Sequence, residues 1–228
     1  MKKILLYCII PIITLFIIFS SVLILIAVLR QDEVYDNLDS VSEVVDNLQP
    51  RVIEIDNVTV KAQPDGFTCG ITTVAIMSNF FNSTNNEAND LIDRHNITSG
   101  GATNDEMVAW LQGELPGRTI AFRSNVTNEV MLSDIHASLY SGNPVMIAFA
   151  APNSFNEPYY DSHASVVYGI NLDSETIMIA NAYGFNEEIS LLEFLNRMSY
   201  TETSKFPFIV RVIWVFIDFG VNSYTLVE

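Results

Sequence analysis

The chain predicts an α+β domain behind a membrane-spanning helix, on three observations. Ile4–Leu29 is 26 residues without a charge, preceded by Lys2 and Lys3. Between Cys69 and Tyr140, apolar residues recur at helical spacing and polar loops interrupt them. From Pro144 onward the texture changes to apolar and β-branched runs joined by short turns. Helices first and antiparallel strands second describe an α+β domain.

The N-terminal run is long enough to cross a bilayer as a tilted helix. A cleaved signal peptide has a shorter apolar core and a small-residue cleavage site, and no A-x-A-like site precedes the acidic stretch that follows. Leu5 to Cys8 is a poor lipobox, because Tyr7 is bulky where a small residue belongs. Residues 1–30 therefore read as a signal anchor. Lys2, Lys3 and the α-amine flank one side, whereas Arg30 is the only base on the other side before Arg51. The positive-inside rule then puts the N-terminus in the cytoplasm and the bulk of the chain outside. Residues 31–50 are acidic, with Val34, Leu38, Val41, Val44, Val45 and Leu48 three or four residues apart and Pro50 closing the pattern. That spacing suits a short amphipathic helix or stalk, and a solvated linker equally well. Residues 51–228 form the expected domain.

Within it, Val52–Val60 alternates and is β-branched, predicting a strand that leads to a loop at Gln63. Pro64-Asp65-Gly66 is a turn, and Cys69 begins a helix running to about Phe81. Glu87–His95 predicts a short second helix. Thr103 and Glu106 form a capping box for a third, which carries Met107, Val108, Trp110 and Leu111 and stops near Gly113. Thr119–Arg123 reads as a short strand, Val130–Tyr140 as a helix and Ser141–Pro144 as a turn. Val145–Ala151, Ala164–Ile170 and Thr176–Ala180 read as strands, the last two joined by a turn at Asn171–Ser174. Leu191–Met198 predicts a helix and Phe208–Phe219 a final strand.

Charge and cysteine usage exclude several functions. All 27 acidic residues follow Arg30, against eight of the 11 basic ones, which leaves residues 31–228 at −19. Such a surface repels nucleic acid and anionic lipid, and suits solvation or cationic substrates. Cys8 lies in the apolar N-terminus, out of reach of Cys69, so Cys69 is expected to be a free thiol. No CxxC pair or Cys/His cluster suggests zinc, and no Walker loop or GxGxxG suggests a nucleotide, so neither metal nor cofactor is expected. Four N-glycosylation sequons begin at Asn57, Asn82, Asn96 and Asn125. They matter only in a eukaryotic secretory pathway.

The stretch with chemical promise is Gln63 to Met77. A thiol in the first turn of a helix meets unpaired backbone N–H groups and the positive end of the helix dipole, both of which favour the nucleophilic thiolate. Gln63, six residues upstream, carries an amide that could donate to an oxyanion beside the sulfur. A cysteine alone reads more readily as a buried structural thiol, so its companions decide. His95 sits in a polar Asp-Arg-His-Asn stretch and reads as a surface residue, and His136 falls within a helical pattern. His163 opens a strand, beside small Ala164 and Ser165 that leave room for an imidazole to face a cleft. Asn181 ends the next strand, and a hairpin would bring it to His163, where its oxygen would fix the tautomer. A turn residue at a strand end is the plainer reading of Asn181.

Gln63-x5-Cys69-Gly70 leading into a helix, with a later His163 and Asn181, resembles the papain-like cysteine peptidases and, among them, the bacterial peptidase C39-like branch. The resemblance spans roughly residues 55–200. It implies a papain-like fold with the site between a helical part and a sheet, Cys69 as nucleophile, His163 as base, Asn181 as its orienting partner and Gln63 as oxyanion donor. His163-Ala-Ser-Val-Val-Tyr-Gly169 is similar to the family's His-x-Val-Val-x-x-Gly context with one residue shifted. Where that branch commonly has Asp followed by Pro, this chain has Asn181 and Ala182. Tyr183 would shield the Asn–His bond from water, as an aromatic neighbour does in relatives. The expectation is a membrane-anchored extracytoplasmic cysteine peptidase, with a monomeric ectodomain and a peptide or protein substrate. A catalytically silent binding module and a cell-wall amidase or transpeptidase on the same scaffold are its alternatives.

Overall fold

Val145, Ile147, Phe149 and Ala151 contribute to one apolar cluster, while Met146 and Ala148, between them, pack into another. Successive side chains of a strand point to opposite faces, so this strand needs cover on both. The computed structural model provides it. Residues 16–22, 37–98, 101–152, 159–201, 205–207 and 220–228 are described.

The chain divides into two units. One comprises Met1–Val34 with Thr201–Phe219, the other Tyr35–Tyr200 with Gly220–Glu228. In the first, residues 16–22 are helical, and Phe16, Ile17, Ile18, Phe19 and Val22 are exposed. Among the described residues no helix is long and apolar enough to cross a membrane. The remainder of the expected anchor, and the strand expected over Phe208–Phe219, lie outside the described residues.

The second unit is α+β, built on one antiparallel sheet. Its strands are β1 (Val52–Glu54), β2 (Ile120–Arg123), β3 (Val145–Pro152), β4 (Tyr160–Asn171), β5 (Thr176–Asn181), β6 (Phe185–Ser190) and β7 (Ser223–Val227), and its helices are α1 (Asn37–Asn47), α2 (Cys69–Asn82), α3 (Ala88–Arg94), α4 (Asn104–Glu114), α5 (Asn128–Tyr140) and α6 (Leu191–Met198). The strand order is β2-β7-β3-β4-β5-β6, and β1 pairs with the far end of β4, beyond β3. One cluster joins α1, α5 and α6 to one face of the sheet; the other joins α2, α3 and α4 to the opposite face. Helices therefore sandwich the sheet instead of lying only to one side of it.

Local chemistry explains the elements that carry the site. The capping box expected at Thr103 and Glu106 is present, and Glu87 with Asp90 makes a second one at α3. Helix α2 buries every residue from Gly70 to Asn79, as a helix covered on all sides does. It ends at Ser83, which adopts the left-handed conformation and donates to Asn79 O. The β4–β5 turn is held by Asn171, whose side chain accepts from Asp173 N and Ser174 N.

Three boundaries differ from expectation. The strand expected over Val52–Val60 stops at Glu54, because Asn57 turns the chain at φ +66°. His163 lies inside β4, which begins at Tyr160. The acidic stretch expected as helix, stalk or linker is helical from Asn37 to Asn47, and Val41 and Val45 sit in the first core cluster with α5 and α6. The domain therefore begins before residue 51. Sequence spacing displays such an apolar stripe but not the surface that receives it.

Candidate functional site

In the β4–β5 hairpin Ser165 lies opposite Asn181, so the end of β5 falls two residues from His163 on the same face. His163 Nε2 and Asn181 Oδ1 are 2.9 Å apart. An amide oxygen only accepts, so Nε2 carries the hydrogen and Nδ1 is the nitrogen able to take up a proton. Asn181 Oδ1 also accepts from Tyr183 N at 2.9 Å. The Tyr183 ring lies flat against the imidazole, 4.0 Å between centroids and 17° between planes. His163 and Asn181 are both buried.

The other end of the Asn181 amide is also held. Its Nδ2 donates to Glu187 Oε2 at 2.8 Å, from the neighbouring strand β6. Arg197 Nη1 of α6 donates to Glu187 Oε1 at 2.8 Å, and Arg197 Nη2 to Glu193 Oε1 at 2.6 Å. Arg197 is 5 % exposed, a buried guanidinium held by two carboxylates. Sequence reasoning missed Glu187 and Arg197. Their signal was weak: Glu193 and Arg197 are four residues apart, the spacing of an ordinary surface pair on a helix.

Cys69 is the first residue of α2 and a free thiol, placed where the sequence puts it. Burial pushes the Cys69 thiol up, the backbone amides of Ala164, Gly70 and Cys69 itself act in the opposite direction, and the charge of Asp161 adds to the upward push. Burial likewise takes His163 down to about 4, against opposing contributions from the Asn181 hydrogen bond and Glu187. Desolvation therefore opposes the thiolate that the helix N-terminus favours, and opposes the imidazolium as well.

Gly70 follows for a steric reason. A Cβ there would stand 2.8 Å from Ala102 Cβ and 3.0 Å from Met107 Sδ, so the Cys-Gly pair lets α4 close over the start of α2.

Gln63 is carried to the same place by its backbone. Ala62 bridges Tyr183, and Gln63 N donates to Ala182 O at 2.7 Å. Gly184, at φ +98°, leaves room for Ala62, whose Cβ would stand 2.8 Å from a Cβ at that position. The Gln63 amide donates to Asp65 O at 2.5 Å within its own loop, and its Oε1 is buried without a hydrogen-bond partner. The four expected residues therefore lie around the β4–β5 hairpin: His163 bonded to Asn181, Gln63 against Ala182, and Cys69 packed on the apolar cluster that includes Ala164.

The other histidines are occupied elsewhere. His136 Nε2 is 2.8 Å from Pro50 O. His95 is 2.9 Å from Glu114 Oε1 and packs near Trp110, partly buried and not a surface residue. Among the described residues no three His, Cys, Asp or Glu side chains gather as metal ligands do. Tyr200 OH lies 3.1 Å from Ser162 Oγ, and burial pushes this phenol up to about 12.

The sequence pattern of the Peptidase_C39 like family matches residues 55–206. Comparison with curated proteins finds no match. Solved structures are similar as well, two of which follow. The peptidase domain of Streptococcus ComA, a bi-functional ABC transporter involved in a quorum-sensing pathway, has a TM-score of 0.49 at 13% identity, covering 75% of this chain and 98% of that one. A Bacillus anthracis protein assigned as a C39-like peptidase has a TM-score of 0.48 at 14% identity, covering 78% and 98%.

Proposed function

This chain belongs to the Peptidase_C39 like family, and from that premise we propose that it is a cysteine peptidase of papain-like architecture acting through Cys69, His163, Asn181 and Gln63. The observation that carries the reading is the buried His163–Asn181 hydrogen bond, next in the chain to Ala164, whose apolar cluster Cys69 packs against. Membership of the family alone does not require turnover; the paired His163 and Asn181 near Cys69 are what support it here.

Chemistry starts from a neutral pair. As sulfur attacks the scissile carbonyl carbon, its proton passes to His163 Nδ1 and the carbonyl electrons move onto oxygen. Asn181 steadies the imidazolium through Nε2–H. The Cys69 N–H and the Gln63 amide receive the oxyanion, for which Gln63 turns from Asp65 O. The tetrahedral centre collapses, the C–N bond breaks, and the imidazolium protonates the departing amine. Water, deprotonated by His163, then attacks the thioester and returns free Cys69 and a carboxylic acid.

We propose that the domain lies outside the cytoplasm, with residues 4–29 as the anchor and the N-terminus inside. Support comes from the uncharged run and its flanking lysines, and from the exposed apolar side chains of residues 16–22. External protease should digest the domain on sealed, right-side-out vesicles; protection would refute the orientation.

Iodoacetamide labelling and peptide hydrolysis test the chemistry together. Wild type should label at Cys69 and cleave peptides, whereas Cys69→Ala and His163→Ala should each abolish cleavage. The raised thiol and lowered imidazole favour one other reading, a silent binding module. Labelling of Cys69 no faster than that of the unfolded chain, with no cleavage, would select it.

A further inference from the structure

The His163–Asn181 pair works only while the amide presents its oxygen. An amide turned by 180° would set Nδ2 against Nε2–H, donor against donor, and release the tautomer that leaves Nδ1 able to take the proton. We propose that Glu187 is a positioning residue that fixes this orientation, and that Arg197 holds Glu187 in place to do so.

Each atom of the Asn181 amide meets a partner of one kind only. Oδ1 faces two N–H donors, His163 Nε2 and Tyr183 N, each at 2.9 Å. Nδ2 faces a carboxylate oxygen, Glu187 Oε2, at 2.8 Å. After a flip, Oδ1 would lie against that carboxylate, acceptor on acceptor, and two N–H groups would confront Nδ2. The carboxylate itself is not free to turn away. Its other oxygen is taken by Arg197 Nη1, and Arg197 is buried and tied to Glu193 as well. The chain His163–Asn181–Glu187–Arg197–Glu193 therefore runs from the site through β4, β5 and β6 into α6.

The same chain explains the residue type at 181. An Asp there would face Glu187 as a second carboxylate at hydrogen-bond distance, and the pair could not both ionise without repulsion. With Glu187 behind it, an amide is the side chain that satisfies both neighbours. The charge of Glu187 also favours a proton on His163, and that of Arg197 opposes it. The inference rests on the reading of Cys69 and His163 as the proton-exchanging pair.

The test uses the full chain and second-order rates of Cys69 alkylation by iodoacetamide across the pH range, for wild type, His163→Ala, Glu187→Gln, Asn181→Asp and the Asn181→Asp/Glu187→Gln double variant. Glu187→Gln should slow alkylation at neutral pH by ~10-fold and move the profile toward that of His163→Ala, an effect of the size that losing the outer partner of a metal-bound histidine has. Asn181→Asp should be at least as slow. The double variant should recover most of the rate, since the amide introduced at position 187 can donate to the new carboxylate. Losses that multiply in the double variant would overturn the positioning role while leaving the Cys69–His163 reading intact. A His163→Ala profile identical to wild type would remove both. Should Glu187→Gln not fold, wild type alone decides: the Asn181 Nδ2 protons should be protected from hydrogen exchange, and exchange at the rate of an exposed amide would overturn the proposal.

Discussion

Lowering the pH should unfold this domain through His163. The imidazole is 3 % exposed, and burial brings it from an ordinary 6.5 to about 4. Between those values the unfolded chain binds a proton that the native protein refuses, so stability must fall as pH falls. Above 6.5 neither state is protonated and the contribution is fully present. At pH 5 the loss amounts to about 2 kcal/mol and at pH 4 to about 3 kcal/mol, from the ratio of the two proton-binding polynomials. Carboxylates also titrate in this window, so the comparison must be differential. Urea unfolding of wild type and His163→Gln at pH 7.5, 5 and 4 isolates the term. The variant should be less stable at pH 7.5 through lost packing on Tyr183, yet its stability should fall by about 3 kcal/mol less than that of wild type on reaching pH 4. Curves that run parallel to within ~0.5 kcal/mol would show that His163 titrates like an exposed histidine, and the lowering of its pKa by burial would be refuted.

Three further outcomes are expected. Gly70→Ala should cost about 1–3 kcal/mol by overpacking against Ala102 and Met107, read as a lowered thermal midpoint; an unchanged midpoint would mean that α4 moves aside freely. Removing residues 1–50 should leave the domain less stable than removing residues 1–36 by roughly 3 kcal/mol or more, through the loss of buried Val41 and Val45, and equal urea midpoints would make α1 dispensable. Gln63→Ala should slow peptide hydrolysis by ~10²–10³-fold while iodoacetamide labelling stays close to wild type, and a parallel loss of both would assign Gln63 to the thiol instead of the oxyanion.

What could be read from the sequence was what local rules govern. The Cys69 helix start, the Thr103–Glu106 box and the β4–β5 hairpin that carries Asn181 to His163 each depend on residues close together in the chain. The two helical layers left a trace as well, in the unbroken apolar run of β3, although only a packed sheet shows that both faces are covered. The direction in which the thiol is pushed was not readable, because the helix end beside Cys69 is local while the desolvation that opposes it comes from the whole fold. Glu187 escaped for a similar reason. On a short strand with exposed neighbours it looks solvated, and only the docking of α6 brings Arg197 to it.

The pairing of β2 sets a timetable for synthesis. Ile120–Arg123 forms its hydrogen bonds with β7, Ile120 opposite Val227 and Arg123 opposite Tyr224, and β7 also completes the flank of β3 at Met146 to Ala148. A translating ribosome adds ~5–20 residues per second, so β2 waits on the order of 5–20 s for its partner. Throughout that interval the nascent chain holds two strand edges with unpaired N–H and C=O groups, the form in which sheets most readily join to the wrong neighbour. Chaperone engagement during synthesis should therefore concentrate on β2 and β3, and end when β7 arrives.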